Sequence, residues 1–185
     1  MIQDQNRSGW FGASDTDIIM GNWKTTTFSR WWAQKLGINT LHFSNPAINA
    51  GTYYEHAILE AVGAPRMDHQ IILPELKLRV NLDGDGPGRI YEVKTHKLDK
   101  PFKVSKAYWQ QVLVQMYAKQ VEEGCTPLAH IVAYGLEPED YRNFFREIDP
   151  ERLTRHSIEY DAAFIDKYLA RMEYLARRLE KGEWP

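Results

Sequence analysis

The residues of this chain best suited to chemistry lie between Asn81 and Lys94, in NLDGDGPGRIYEVK. Asp83 ends one strand-like run, and Glu92 and Lys94 sit two apart in the next. Alternate residues of a strand project to the same face, so Glu92 and Lys94 stand side by side. A tight turn between the runs brings Asp83 up against Glu92. Two anionic oxygens beside an ammonium suit attack on a phosphodiester assisted by a divalent cation. Mg²⁺ or Mn²⁺ is the expected cofactor. Asp83 and Glu92 are the candidate ligands, with the Val93 carbonyl as a third. Lys94 would orient or deprotonate the water and stabilise the transition state. Glu55, on an upstream helix, is an extra carboxylate for a second or outer-sphere metal.

Two other readings fit the same segment. Asn81, Asp83, Asp85, Gly86 and Glu92 occupy positions 1, 3, 5, 6 and 12 of a calcium-binding loop. Against this stand Asn at the first position, Pro87 and Gly88 where extended backbone belongs, and flanks that alternate like strands. The remaining reading is a charged hairpin with an incidental Glu–Lys pair. His56, His69 and His96 do not show metal-ligand spacing in the sequence. Trp10, Phe11, Trp31 and Trp32 could stack on bases, but core packing suits most of them better.

The elements that must position these residues follow from periodicity and capping. Ser14 followed by Asp17 predicts an N-cap and a short helix. Thr25 to Leu36 and Ala50 to Val62 read as helices, the second stopped by Gly63 and Pro65. Leu76, Leu78, Val80 and Leu82 alternate with Lys77, Arg79, Asn81 and Asp83, which predicts a half-buried strand. Gly84, Gly86, Pro87 and Gly88 supply the turn, and Arg89 to Thr95 the next strand. A helix follows from about Ser105 to Glu123, then a strand at Ala129 to Tyr134. The last helix, about Tyr160 to Lys181, carries an apolar stripe at Phe164, Tyr168, Met172, Leu175 and Leu179. On the helix from Ser105, Tyr108, Gln111 and Gln115 share a face. The order predicts one mixed α/β domain over residues 1–185, with a central sheet flanked by helices.

Bulk properties set the frame. The 185 residues are 43% hydrophobic, enough for one core, and no run approaches a membrane span. The single cysteine, Cys125, excludes an internal disulfide framework and a four-cysteine metal site. A soluble, cytoplasmic protein is expected. The net charge of -2 does not advertise nucleic-acid binding. Clustering matters more: Lys94, Lys97, Lys100, Lys103 and Lys106 fall within thirteen residues and could line one wall of a DNA groove.

Five separated segments, taken in order, resemble the YqaJ-type viral recombinases, the phage alkaline exonucleases related to lambda exonuclease. They are RSGWFGASD (7–15), GTYYEHAI (51–58), LDGDGPGRIYEVKT (82–95), YWQQVLVQMY (108–117) and the closing helix from Asp161 that ends in KGEWP. The Asp…Glu-x-Lys hairpin is similar to the signature of the PD-(D/E)XK nucleases. The resemblance implies a restriction-endonuclease-like core and a Mg²⁺- or Mn²⁺-dependent exonuclease acting on double-stranded DNA ends. It also implies 5′-to-3′ degradation that leaves a 3′ overhang for recombination in a phage-infected or bacterial host. A single-strand annealing protein as partner and a homotrimer are further family expectations. By the same resemblance Glu55, Asp83, Glu92 and Lys94 carry the chemistry, Gln111 supports it, and Arg7 and Ser14 hold the 5′-phosphate. The alternatives are a PD-(D/E)XK endonuclease or repair nuclease, or a non-catalytic DNA- or calcium-binding module.

Overall fold

A five-stranded sheet in the order β1-β2-β3-β4-β5 forms the centre of the fold. The computed structural model describes residues 8–38, 46–143 and 146–185, so Arg7 lies outside the described residues. The strands are β1 (Arg66–Leu73), β2 (Leu78–Gly86), β3 (Arg89–Lys97), β4 (Leu128–Leu136) and β5 (Leu153–Ile158). The helices are α1 (Thr16–Met20), α2 (Thr26–Lys35), α3 (Pro46–Val62), α4 (Lys106–Glu123) and α5 (Ala162–Glu180). Among the five described strands only β3 and β4 pair in parallel, because α4 carries the chain back across the sheet between them. This is the mixed α/β architecture expected. Among the described residues no helix is long and apolar enough to cross a membrane.

The sheet is covered on both faces. Ile90, Leu78, Val80 and Leu82 join Val112, Leu113, Met116 and the α5 stripe in one core. All five predicted stripe residues of α5 are buried. On the other face α3 lays Tyr54, Ile58 and Leu59 against Tyr91, Val93, Val132 and Tyr134. Gly84 permits that approach, since a Cβ there would collide with Leu59 Cδ2. The calcium-loop reading fails here, because its flanks are strands. Its Asp85 is also consumed: it is fully buried, bound by Lys119 at 2.5 Å and by Arg66.

Several boundaries differ from expectation. Two strands, β1 and β5, escape sequence reading because neither alternates cleanly; both are edge strands, with burial scattered along them. Leu76 belongs to a 3₁₀ turn, so β2 starts at Leu78 and runs through Gly86, leaving Pro87–Gly88 as the turn. Ser14 is not an N-cap. It sits within a 3₁₀ turn, Ala13–Asp15, whose cap is Gly12, bonded through its N–H to Asp15 Oδ2 at 2.8 Å. Asp15 also binds Lys35 Nζ at 2.6 Å and accepts from Trp31 Nε1 at 2.9 Å, both buried. The turn bearing Ser14 is thereby locked to α2. Phe11 stacks on Trp31 and Trp32, which are tilted to each other, and all three are buried in the core, leaving no face for bases.

Candidate active site

The site exists because the sheet comes apart at Asp83. The β2–β3 ladder holds three pairs, Gly84↔Tyr91, Asp85↔Ile90 and Gly86↔Arg89. The next pair in that register would be Asp83 with Glu92, and there β3 leaves β2 to stay with β4 as far as Lys97↔Leu136. On its other side β2 pairs with β1 from Leu73↔Leu78 to Arg66↔Asp85, but the ladder passes over Asp68 and Asp83. Asp68 has φ 55°, a left-handed conformation rare outside glycine, asparagine and aspartate. Further down, β2 gains a different neighbour. Phe11 bridges Leu78, with Phe11 N donating to Lys77 O at 2.7 Å and Arg79 N to Phe11 O at 2.8 Å.

A wedge-shaped cavity of about 350 Å³ opens between the departing β3 and the Phe11 segment, floored by β2. Its lining includes Glu55, Asp83, Glu92, Val93, Lys94, Gln111 and Ser14, so every described candidate residue meets there. Asp83 and Glu92, from different strands, face one space. Asp83 Oδ2 accepts from the Val93 N–H at 2.8 Å, a side chain standing in where the ladder has ended. Lys94 Nζ pairs with Glu92 Oε1 and lies 5.1 Å from the Tyr108 ring centre. Gln111 Nε2 donates to Glu92 Oε1 and Gln115 Nε2 to Glu92 Oε2, each at 2.5 Å. Glu92 is 1% exposed, so these donors replace the water it loses.

Charge is unbalanced in this space. Burial, then the carboxylates of Glu92 and Glu55, push the Asp83 carboxyl well above its usual range. Burial, Glu92 and Asp68 raise Glu55. Burial would lower Lys94, but Glu92 and Asp83 outweigh it, so its ammonium is held more firmly than usual. Four carboxylates, Glu55, Asp68, Asp83 and Glu92, against the Lys94 ammonium and the Arg79 guanidinium leave an excess of hard oxygen donors, the donor set of a divalent Mg²⁺- or Mn²⁺-type cation. Glu55, Asp83 and Glu92 fit that role, with Val93 beside them on the cavity wall.

Sequence reasoning missed several lining residues. Arg79 and Asn81 line the cavity with Asp83, and their alternation on β2 was the available signal. Asp68 also lines it, beside Trp10, which the sequence marks as an aromatic residue able to stack on bases. His56 corrects an expectation: its Nε2 lies 2.9 Å from Asp68 Oδ2, and with Glu55 these two form a cluster of metal-binding geometry. No spacing rule could find it, because β1 brings Asp68 to α3. Gln115 shared a predicted face with Gln111, but its bond to Glu92 needed β3 to be placed.

No protein-family model matches the sequence, and a search of curated proteins finds no match. Solved structures do. LHK-Exo in complex with dAMP aligns with a TM-score of 0.68 at 20% identity, covering 95% of this chain and 90% of that one. A second structure of LHK-Exo, an alkaline exonuclease from Laribacter hongkongensis, gives a TM-score of 0.66 at 20% identity, with the same 95% and 90% coverage. A phage-related exonuclease from Haemophilus somnus 129PT gives 0.64 at 15% identity, covering 93% and 95%. The likeness is one of fold, and it is the fold that the sequence resemblance implied.

Proposed function

We propose that this protein is a divalent-metal-dependent DNA exonuclease. The observation that carries the reading is the convergence of Glu55, Asp83, Glu92 and Lys94 on one cavity at the split between β2 and β3. The likeness in fold to alkaline and phage-related exonucleases supports it.

A divalent cation bound by Asp83, Glu92 and Glu55 would supply Lewis acidity and offset phosphate charge. The chain's own residues account for the rest. Gln111 and Gln115 fix both oxygens of Glu92, so its carboxylate is presented in one orientation. Val93 N–H fixes one oxygen of Asp83. Lys94, kept as an ammonium, orients the attacking water and stabilises charge developing on the phosphate, rather than serving as base. The Phe11–Ser14 wall closes the cavity on one side, which suits a strand end better than a continuous duplex. On this reading the enzyme degrades the 5′ strand from a duplex end and leaves a 3′ overhang suited to recombination.

The test incubates linear 5′-phosphorylated duplex and closed circular plasmid with Mg²⁺ or Mn²⁺. Mononucleotide release from the linear DNA alone, lost in Glu92→Ala, is the expected result. Cutting of the closed circle would replace this reading with an endonuclease, and inactivity on both would remove it.

A further inference from the structure

A basic, aromatic strip leads away from Lys94 along the β3–α4 connection. Lys97, Lys100, Lys103 and Lys106 are all exposed, and among the described residues none makes an ion pair. From Lys94 to Lys106 the only acid is Asp99, in a chain that has more acids than bases overall. Lys106 opens α4, where the helix dipole disfavours a cation, and the first turn has no acid to compensate. Helix stability therefore does not account for it.

The lysines are mounted on a fixed backbone. His96 Nδ1 lies 2.9 Å from Lys97 O and 3.0 Å from Lys100 O, so this nitrogen carries a proton and staples the turn. Leu98 N donates to Leu136 O at 3.0 Å, and Leu98 packs against Gly135, where a Cβ would meet its Cδ1 at 2.5 Å.

Rings run through the same surface. Tyr108, beneath Lys94, neighbours Phe102 at 6.1 Å between centres. Phe102 in turn meets His96 at 5.4 Å and His156 of β5 at 5.1 Å. All four rings are half-buried, each with part of its surface open. Lysines spaced along a backbone, with accessible rings between them, match single-stranded nucleic acid: phosphates meet ammonium groups and unpaired bases meet π-faces. A duplex offers the phosphates but hides the bases.

We infer that the strip formed by Lys97, Lys100, Lys103, Lys106, His96, Phe102 and His156 binds single-stranded DNA beside the active site. It rests on the exonuclease reading only for why a single strand would be present there.

The test measures fluorescence anisotropy of a labelled oligothymidine and of a blunt duplex in EDTA, where hydrolysis plays no part. Replacing the four lysines by Gln should weaken oligothymidine binding by about tenfold or more, and reduce its salt slope by about 0.7 for each phosphate left without its ammonium. Replacing four exposed cations elsewhere (Lys24, Arg30, Lys167 and Lys181) by Gln should leave it unchanged. Phe102→Leu, which keeps the apolar packing, should weaken oligothymidine by about fivefold or more and leave the duplex unaffected. No oligothymidine binding by the wild type, or unchanged affinity in the lysine variant, overturns the inference. So does an equal loss of both ligands in Phe102→Leu. Strand binding by a protein that hydrolyses nothing would leave the strip standing and remove only the exonuclease reading; hydrolysis with unaltered strand affinity in the lysine variant would do the reverse.

Discussion

Gln115 Nε2 lies 2.5 Å from Glu92 Oε2, from a side chain with no solvent exposure. Its own Oε1 is buried without a hydrogen-bond partner among the described residues. An amide free to turn over would not choose this state, since an unmet buried acceptor costs about 1–3 kcal/mol. The carboxylate dictates the orientation, and Gln115 in return fixes the carboxylate.

Gln115→Leu should therefore separate positioning from folding. It removes the orphaned acceptor but leaves the buried Glu92 Oε2 without its donor, two opposing effects, so the melting temperature should move by no more than a few degrees. The divalent cation needed for half-maximal nuclease activity should rise about 10–100-fold, as for other residues that orient a metal's ligands. A metal titration of initial rates, beside calorimetric Mn²⁺ binding, checks both.

Lys94→Ala should lower kcat by about 10²-fold or more while duplex binding persists, because its ammonium acts on the reacting groups. Single-turnover rates and filter binding read the two effects separately. Hydrolysis at wild-type rate in this variant would show that the lysine does not take part.

Asp83→Asn should stabilise the metal-free protein. It removes a carboxylate crowded by Glu92 and Glu55 yet keeps an oxygen for the Val93 N–H. Relief of about 1 kcal/mol would raise the melting temperature by about 2–4 °C in a domain of this size. The further rise that Mg²⁺ gives the wild type should vanish. Thermal melts with EDTA and with Mg²⁺ measure both.

Asp140→Asn should destabilise the fold by about 1.5–3 kcal/mol, since it removes the fully buried carboxylate from Arg152 and leaves that arginine only the longer ion pairs to Glu137 at 3.7 Å and Asp149 at 3.6 Å. Asp140 has no exposed surface and binds Arg152 Nη1 at 2.7 Å and Arg146 Nη1 at 2.8 Å. Burial alone would raise its carboxyl, but the Glu137 N–H and Arg152 outweigh it and hold it below the usual range. A lowered folded value means that its stabilisation is complete above the unfolded carboxyl pKa of about 3.9 and is lost as pH falls through the lower value. Urea midpoints across acid pH should show a constant gap between wild type and variant near neutrality, closing below about pH 4.

Much of the site was legible because the hairpin is local. Asp83, Glu92 and Lys94 lie on two alternating runs joined by a glycine-rich turn, and period-two logic places them. Helical spacing places Gln111 and Gln115 on one face, but the supporting role of Gln111 came from resemblance and the bond from Gln115 to Glu92 only from the folded chain. Glu55 was an extra carboxylate on a predicted helix that the resemblance also implied, the phosphate role of Ser14 came from resemblance alone, and the folded chain brings both to the same cavity. What sequence reading missed depends on distant partners. Asp68 and His56 meet only because the chain turns back after α3 and β1 returns Asp68 to the side of His56, and β1 itself was hidden by its irregular burial. Arg79 was visible as a polar position on β2, but nothing nearby in sequence told that Phe11 would bring the opposite wall.

The three-rung ladder between β2 and β3 carries an implication for the evolution of this chain. Zipping the two strands one step further would satisfy more backbone and yield a more regular sheet. It would also seal the wedge and join Asp83 and Glu92 as an ordinary cross-strand pair. Selection for robustness alone would thus drive this fold toward silence, and the unfinished seam is what keeps it open to a substrate.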